Sequence, residues 1–255
     1  MKTQSIRLTK EIQIPQMGFG TSGLGNKATQ SILHALQTGY RHVDTADIYG
    51  THANVAEAIS KSDIARNQIF ITTKLWSHSV SKAKVTPAVD RFLKELKTDY
   101  IDLLLIHWPS NSAPVEETLA AMDQAKQAGK ARALGVSNFN VKLMKQALDS
   151  GFEVCNDQIE YNLNHRPDDT LKFCQQQKVT VTAYSPLEEV TKNKTVAELG
   201  KKYDKPQAQV ILNWLRQKGM IVIPRSMDAK HIETNFHSSE WSLEDQDIEK
   251  LDNTR

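Results

Sequence analysis

Short apolar runs alternate with helix-periodic stretches along this whole chain, and no other feature constrains its fold as tightly. The runs lie at 17–20, 40–44, 69–74, 101–107, 131–136, 154–160, 180–184 and 220–223. Apolar residues recur at helical spacing over 27–38, 53–60, 82–96, 115–127, 141–150, 168–177, 206–218 and 230–236. One strand-plus-helix unit occupies about 30 residues, the length of a βαβ step. The clearest run, IDLLLIH at 101–107, is the kind of strand that is covered on both faces. Strict alternation predicts an α/β fold with a parallel sheet, and eight units can close it into a (β/α)₈ TIM barrel. Residues 1–16 fall outside that count. There 5–8 and 11–14, about Thr9-Lys10, read as an N-terminal hairpin plugging the barrel's bottom, and 243–251 reads as an extra C-terminal helix. No linker divides the chain, which predicts one domain over 1–255.

Composition serves to exclude. Lys and Arg number 32 against 30 for Asp and Glu, with no basic block or aromatic–basic stripe, so a nucleic-acid partner has no support. No segment approaches the roughly 20 apolar residues of a membrane span, and the N-terminus has no hydrophobic run of signal-peptide length. The two cysteines, Cys155 and Cys174, lack any metal-binding spacing and read as buried thiols in a reducing compartment. A cytoplasmic protein without a metal is expected. No apolar face demands a partner, so the expectation is a monomer.

Gly18, Gly20 and Gly23 form G-x-G-x-x-G, with Asp44 further on, which imitates the dinucleotide fingerprint of a doubly wound fold. Such glycine spacing arises often by chance, and Pro15 interrupts the strand that should precede it. That reading also leaves the other polar residues of DTADIYG unused. The alternative is that these glycines let a loop cross the barrel mouth closely.

Asp44, Tyr49, Lys74 and His107 stand at or just past the C-terminal ends of three successive runs, the rim where catalytic residues of a barrel collect. Singly, each has an ordinary reading: a cap, a rim aromatic, a solvated charge, a structural histidine. Jointly they form a proton-transfer set. A phenol titrates near ~10 in solution, and an ammonium about 4 Å away would stabilise the phenolate by about 4 kcal/mol at an effective dielectric of 20. Lys74 could therefore bring Tyr49 into a useful range. Asp44 would keep Lys74 charged, provided Lys74 lies between it and Tyr49. His107 can donate a hydrogen bond to a substrate carbonyl oxygen and stabilise the developing oxyanion.

The blocks MGFGT, GYRHVDTADIYG, ITTKLW, LKTDYIDLLLIHWP, GKARALGVSNF, NDQIEYN, AYSPL and IPRS, in this order, resemble those of the aldo-keto reductases along nearly the whole chain. Within that family the chain looks most like small bacterial enzymes of the 2,5-diketo-D-gluconate reductase and methylglyoxal reductase type. The resemblance implies a barrel that binds a nicotinamide cofactor without a doubly wound domain, with Asp44, Tyr49, Lys74 and His107 as its tetrad. It further implies that Ser137, Asn138 and Gln158 hold the nicotinamide carboxamide and that Tyr184 stacks on the ring. Thr21 and Asp44 would lie near the ribose, and Ser185 and Leu187 near the pyrophosphate. Arg225 and Ser226 would meet the 2′-phosphate, Asn235 the adenine, with Gly20 and Pro224 also against the cofactor. Taken without the family, Ser137-Asn138 reads equally as a helix cap.

Two departures from the family pattern stand out. His231 occupies a place usually held by arginine at the 2′-phosphate, and histidine is a weaker, pH-dependent cation. NADPH is therefore expected to be preferred, with NADH possible but weaker. The loop SPLEEVTKNKT after Tyr184 is short and the chain ends at Arg255, so an open, permissive pocket is expected, lined by Trp76, Trp108 and Ser22. The expected function is NADPH-dependent reduction of aldehydes, small ketoaldehydes or keto-sugars. The alternatives are a cofactor-sensing binding protein on the same fold and a sugar or alcohol dehydrogenase working oxidatively.

Overall fold

The computed structural model describes residues 4–110, 113–188 and 193–254. Strands β1 (Ser5–Arg7) and β2 (Gln13–Pro15) pair antiparallel as a hairpin. Eight more form a single parallel sheet in chain order: β3 (Phe19–Gly20), β4 (His42–Asp44), β5 (Phe70–Leu75), β6 (Ile101–Ile106), β7 (Ala131–Ser137), β8 (Asn156–Glu160), β9 (Thr180–Tyr184) and β10 (Ile221–Val222). Main-chain bonds from Gly18 N to Val222 O (2.8 Å), Val222 N to Gln16 O (2.9 Å) and Gly20 N to Pro224 O (3.1 Å) join the last strand to the first. A Cβ at Gly20 would lie 2.8 Å from the Ile223 carbonyl oxygen, so this seam requires glycine there. The glycine fingerprint thus belongs to the barrel seam, and the doubly wound reading does not hold.

The helices are α1 (Ala28–Thr38), α2 (His52–Ser60), α3 (Lys82–Leu96), α4 (Val115–Gln127), α5 (Val141–Asp149), α6 (Asp168–Gln176), α7 (Lys194–Tyr203), α8 (Gln207–Gln217), α9 (Ala229–Phe236) and α10 (Asp245–Asn253). Strand periodicity divides the apolar residues between two cores. Leu104 and Ile106 of β6 face the helices, whereas Leu103 and Leu105 face the barrel axis with Phe70, Ala133 and Ile221. Leu8 and Ile14 of the hairpin join that inner cluster and close the barrel from below, as a plug must.

Two expectations need correction. The hairpin register is Ser5–Pro15 and Arg7–Gln13, and Leu8 N and Thr9 N both bond Ile12 O, so the turn spans more than Thr9-Lys10. Helix α7 occupies sequence that was not expected to be helical. Asn193 caps it, accepting from Val196 N at 3.2 Å, and Val196 and Leu199 bury its inner face. The expected loop after Tyr184 falls partly outside the described residues. Among the described residues, no helix is long and apolar enough to cross a membrane.

Candidate active site

Alternate residues of each strand face the barrel axis, and the register decides which of them share a level. Gly20 pairs with Asp44, Asp44 with Thr72, and Ser137 with Gln158. Lys74 lies two residues beyond Thr72 and reaches back to Asp44. Gly20, Asp44, Ser137 and Gln158, with Tyr49 and His107, line an open cavity of about 820 Å³ at the C-terminal rim.

Lys74 is fully buried, and its Nζ donates to Asp44 Oδ1 (2.5 Å) and to the Thr45 carbonyl (2.9 Å). The other Asp44 oxygen accepts from Gln158 Nε2 at 2.7 Å. The same ammonium stands 5.1 Å from the centroid of the Tyr49 ring. Lys74 therefore lies between acid and phenol, the order that the proton chemistry requires. The Tyr49 hydroxyl is 3.4 Å from His107 Nε2, and the two rings meet edge-on with centroids 5.5 Å apart.

The electrostatic expectation for Tyr49 is only half met. Burial pushes the phenol above its ordinary range, and Lys74 opposes that shift without reversing it. Asp44 adds a smaller upward push. The phenol is thus fully protonated at neutral pH, poised to give a proton rather than take one. Burial, helped by Lys74, pushes the His107 imidazole down to about 3, so it is neutral. A neutral ring with hydrogen on Nε2 can donate to an oxygen beside Tyr49.

Around this centre the predicted binding residues gather on the rim. Ser137 Oγ donates to the Gln158 carbonyl (2.6 Å), and Asn138 Nδ2 to the His107 carbonyl (2.9 Å). Tyr184 donates its hydroxyl to Asn138 Oδ1 at 2.8 Å. Asn138 takes φ +64°, a strained conformation that turns its amide into the cavity. Neither Ser137 nor Asn138 caps a helix; Asn140 does, accepting from Leu143 N at 3.1 Å. The Thr21 hydroxyl joins a buried cluster with Thr51 (3.0 Å), which in turn meets Thr45 (2.8 Å).

Gly20, Ser22, Trp108, Ser185, Leu187 and Pro224 also line the cavity, and Arg225 and Ser226 stand at its outer end. Trp76 does not line it but packs edge-on against His107, centroids 5.0 Å apart. Buried Asn235 and exposed His231 lie on α9, behind the lining. The sequence reading passed over Ile223, Met227 and Asp228, which line the cavity too. Asp228 also caps α9 through His231 N (3.0 Å), and an Asp before a helix pattern is a legible signal for that role.

Known proteins resemble the chain along its length. The model of the aldo/keto reductase family matches residues 16–190 and 188–255. The chain is 36% identical over 241 residues to methylglyoxal reductase DkgB of Escherichia coli O157:H7, covering 92% of this chain and 90% of that one. It is 32% identical over 253 residues to glyoxal reductase of Bacillus subtilis (strain 168), covering 97% and 91%. The crystal structure of an aldo/keto reductase from Brucella melitensis superposes with a TM-score of 0.96 at 35% identity, covering all of both chains. That of a Bombyx mori aldo-keto reductase in complex with NADP does so with a TM-score of 0.94 at 29% identity, covering 100% of this chain and 93% of that one.

Proposed function

Because the chain belongs to the aldo/keto reductase family, we propose that it reduces aldehydes and small ketoaldehydes, methylglyoxal among them, to alcohols with NADPH. The observation that carries this reading is the buried ammonium of Lys74, held between the Asp44 carboxylate and the Tyr49 ring beside His107. A binding protein has no use for a cation buried against its own phenol, since burying that pair is costly.

The residues present fit a phosphorylated nicotinamide cofactor. At the deep end of the cavity, the amides of Asn138 and Gln158 and the ring of Tyr184 would receive the nicotinamide. At the outer end Arg225 has no carboxylate partner among the described residues, and with Ser226 it offers a fork and a hydroxyl to a phosphate. Exposed His231 replaces a fixed charge on α9, so NADH is accepted as well, more weakly than NADPH. The cofactor supplies the hydride to the carbonyl carbon. His107 Nε2–H orients the carbonyl and donates to its oxygen as negative charge develops there. Tyr49 gives that oxygen its proton. Lys74 stabilises the phenolate left behind, and Asp44 keeps Lys74 charged. Both cysteines are free and buried, which fits a cytoplasmic enzyme.

A substrate panel tests the reading. With NADPH, kcat/KM is expected to be highest for methylglyoxal and similar small carbonyls, lower for keto-sugars, and in each case higher than with NADH. Tight NADPH binding without turnover of any carbonyl would favour a cofactor sensor. Faster oxidation of polyols than reduction of carbonyls would favour an oxidative dehydrogenase.

A further inference from the structure

Behind the catalytic residues, on the helix side of the sheet, runs a chain of polar contacts that the reaction does not touch. Asp47 opens the single 3₁₀ turn Asp47–Tyr49, so its carboxylate and the Tyr49 phenol hang from one short piece of backbone. The Asp47 side chain is only 6% exposed. One oxygen accepts from Arg91 Nη2 of α3 at 2.9 Å. The other lies 3.4 Å from both Ser79 Oγ and His78 Nε2, in the segment that follows the Lys74 strand. Arg91 Nη1 continues to Glu95 Oε1 at 3.3 Å, and Glu95 Oε2 to His52 Nδ1 at 2.7 Å. His52 Nε2 ends the chain at Thr73 Oγ1, 2.8 Å away. Thr73 is the residue before Lys74.

The contacts therefore lead from the turn that carries the proton donor to the residue beside the cation that tunes it. A nearly buried carboxylate needs charge-assisted donors to offset its desolvation, and here they come from α3 and from the segment that follows the Lys74 strand. The quantity this bracing controls is the separation between phenol and ammonium. Near 4–5 Å, each ångström added weakens that attraction enough to raise the phenol by roughly half a pH unit. The groups that face Tyr49 itself are Lys74, Asp44, Ser22, His107 and Tyr184. Those facing the braces are Arg91 and His78 at Asp47, and Glu95, Asp47 and Arg91 at His52.

We propose that Asp47, Arg91, Glu95 and His52 act as positioning residues that fix the distance between the Tyr49 phenol and the Lys74 ammonium, and so set the acidity of the proton donor. The inference deepens the reductase reading and rests on it for its functional meaning, but its physical core can be measured without turnover. The probe is the tyrosinate absorbance of Tyr49, taken as the difference between each protein and the same protein carrying Tyr49→Phe. Arg91→Met and Asp47→Asn are compared with wild type, with unfolding temperature and NADPH affinity recorded for each.

If the chain positions the phenol, both variants titrate higher by roughly half a pH unit. The double variant then shifts no further than the larger single one, because the residues form one device. Arg91→Lys restores most of the wild-type value, and NADPH affinity stays within twofold. A field effect without displacement gives opposite signs, downward on losing the anion at Asp47 and upward on losing the cation at Arg91. Opposite shifts, or no shift in folded variants that bind NADPH, would overturn the proposal. Failure of wild type to reduce any carbonyl would instead sink the reductase reading, while the titration still decides the positioning.

Discussion

His107 shows how burial prepares a side chain for its part. Enclosure and the neighbouring Lys74 hold its titration down to about 3, so above that pH the ring is neutral and free to donate from Nε2. The dependence of kcat/KM on pH should accordingly show no limb from this histidine between pH 5 and 8. A loss of activity on acidification through pH 6.5 that His107→Gln abolishes would contradict this. His107→Leu removes the donor and should lower kcat/KM for methylglyoxal by about 10²–10³ while NADPH affinity holds. The four proposed reacting residues could be picked out in the sequence because each stands at or just past a strand end of a regular alternation. The bond from Gln158 to Asp44 was not, since its partners are 114 positions apart and meet only when the barrel closes. The upward shift of Tyr49 was hidden for a related reason. A sequence names the cation beside a phenol but not how deeply both are buried.

At the scale of elements, the proposed cofactor site draws on the strand ends and the helices that follow them. Arg225 follows β10 and Asp228 caps α9, so one short connection presents a guanidinium and a helix start to the cavity. Arg225→Ala should raise the dissociation constant of NADPH about tenfold and leave that of NADH nearly unchanged, as read by fluorescence titration. Equal losses for both cofactors would place the guanidinium away from the 2′-phosphate. Most elements could be read from periodicity: α3 and α4 fall on their expected bounds because their apolar stripes run unbroken. Helix α7 escaped because Gly200 and three lysines dilute its stripe to Val196, Leu199 and Tyr203. The hairpin turn escaped because Thr9 satisfies its own loop, accepting from Glu11 N and Ile12 N, a local choice that alternation does not encode.

For the molecule as a whole, the sheet separates an inner core crowded with polar groups from an apolar shell under the helices. Asp157 is fully enclosed on the far side of β8, and burial pushes its carboxyl well above the usual range. The unfolded chain ionises this group above about pH 4 while the folded chain keeps the proton, so the fold is penalised as pH rises above that value. Asp157→Asn should therefore stabilise the protein at pH 7, with the advantage fading toward pH 4. Urea unfolding at both pH values checks it. A variant less stable at pH 7 would mean that the carboxylate is ionised and held in place.

The account stands on Tyr49 as the proton donor in a cavity that binds NADPH. The most direct test is NADPH consumption with methylglyoxal, wild type beside Tyr49→Phe, with NADPH affinity measured for both. The phenol's loss should reduce kcat by a factor of about 10² or more, within the range of general acid catalysis, and leave NADPH binding unchanged. A Tyr49→Phe protein that keeps most of its kcat would contradict the assignment.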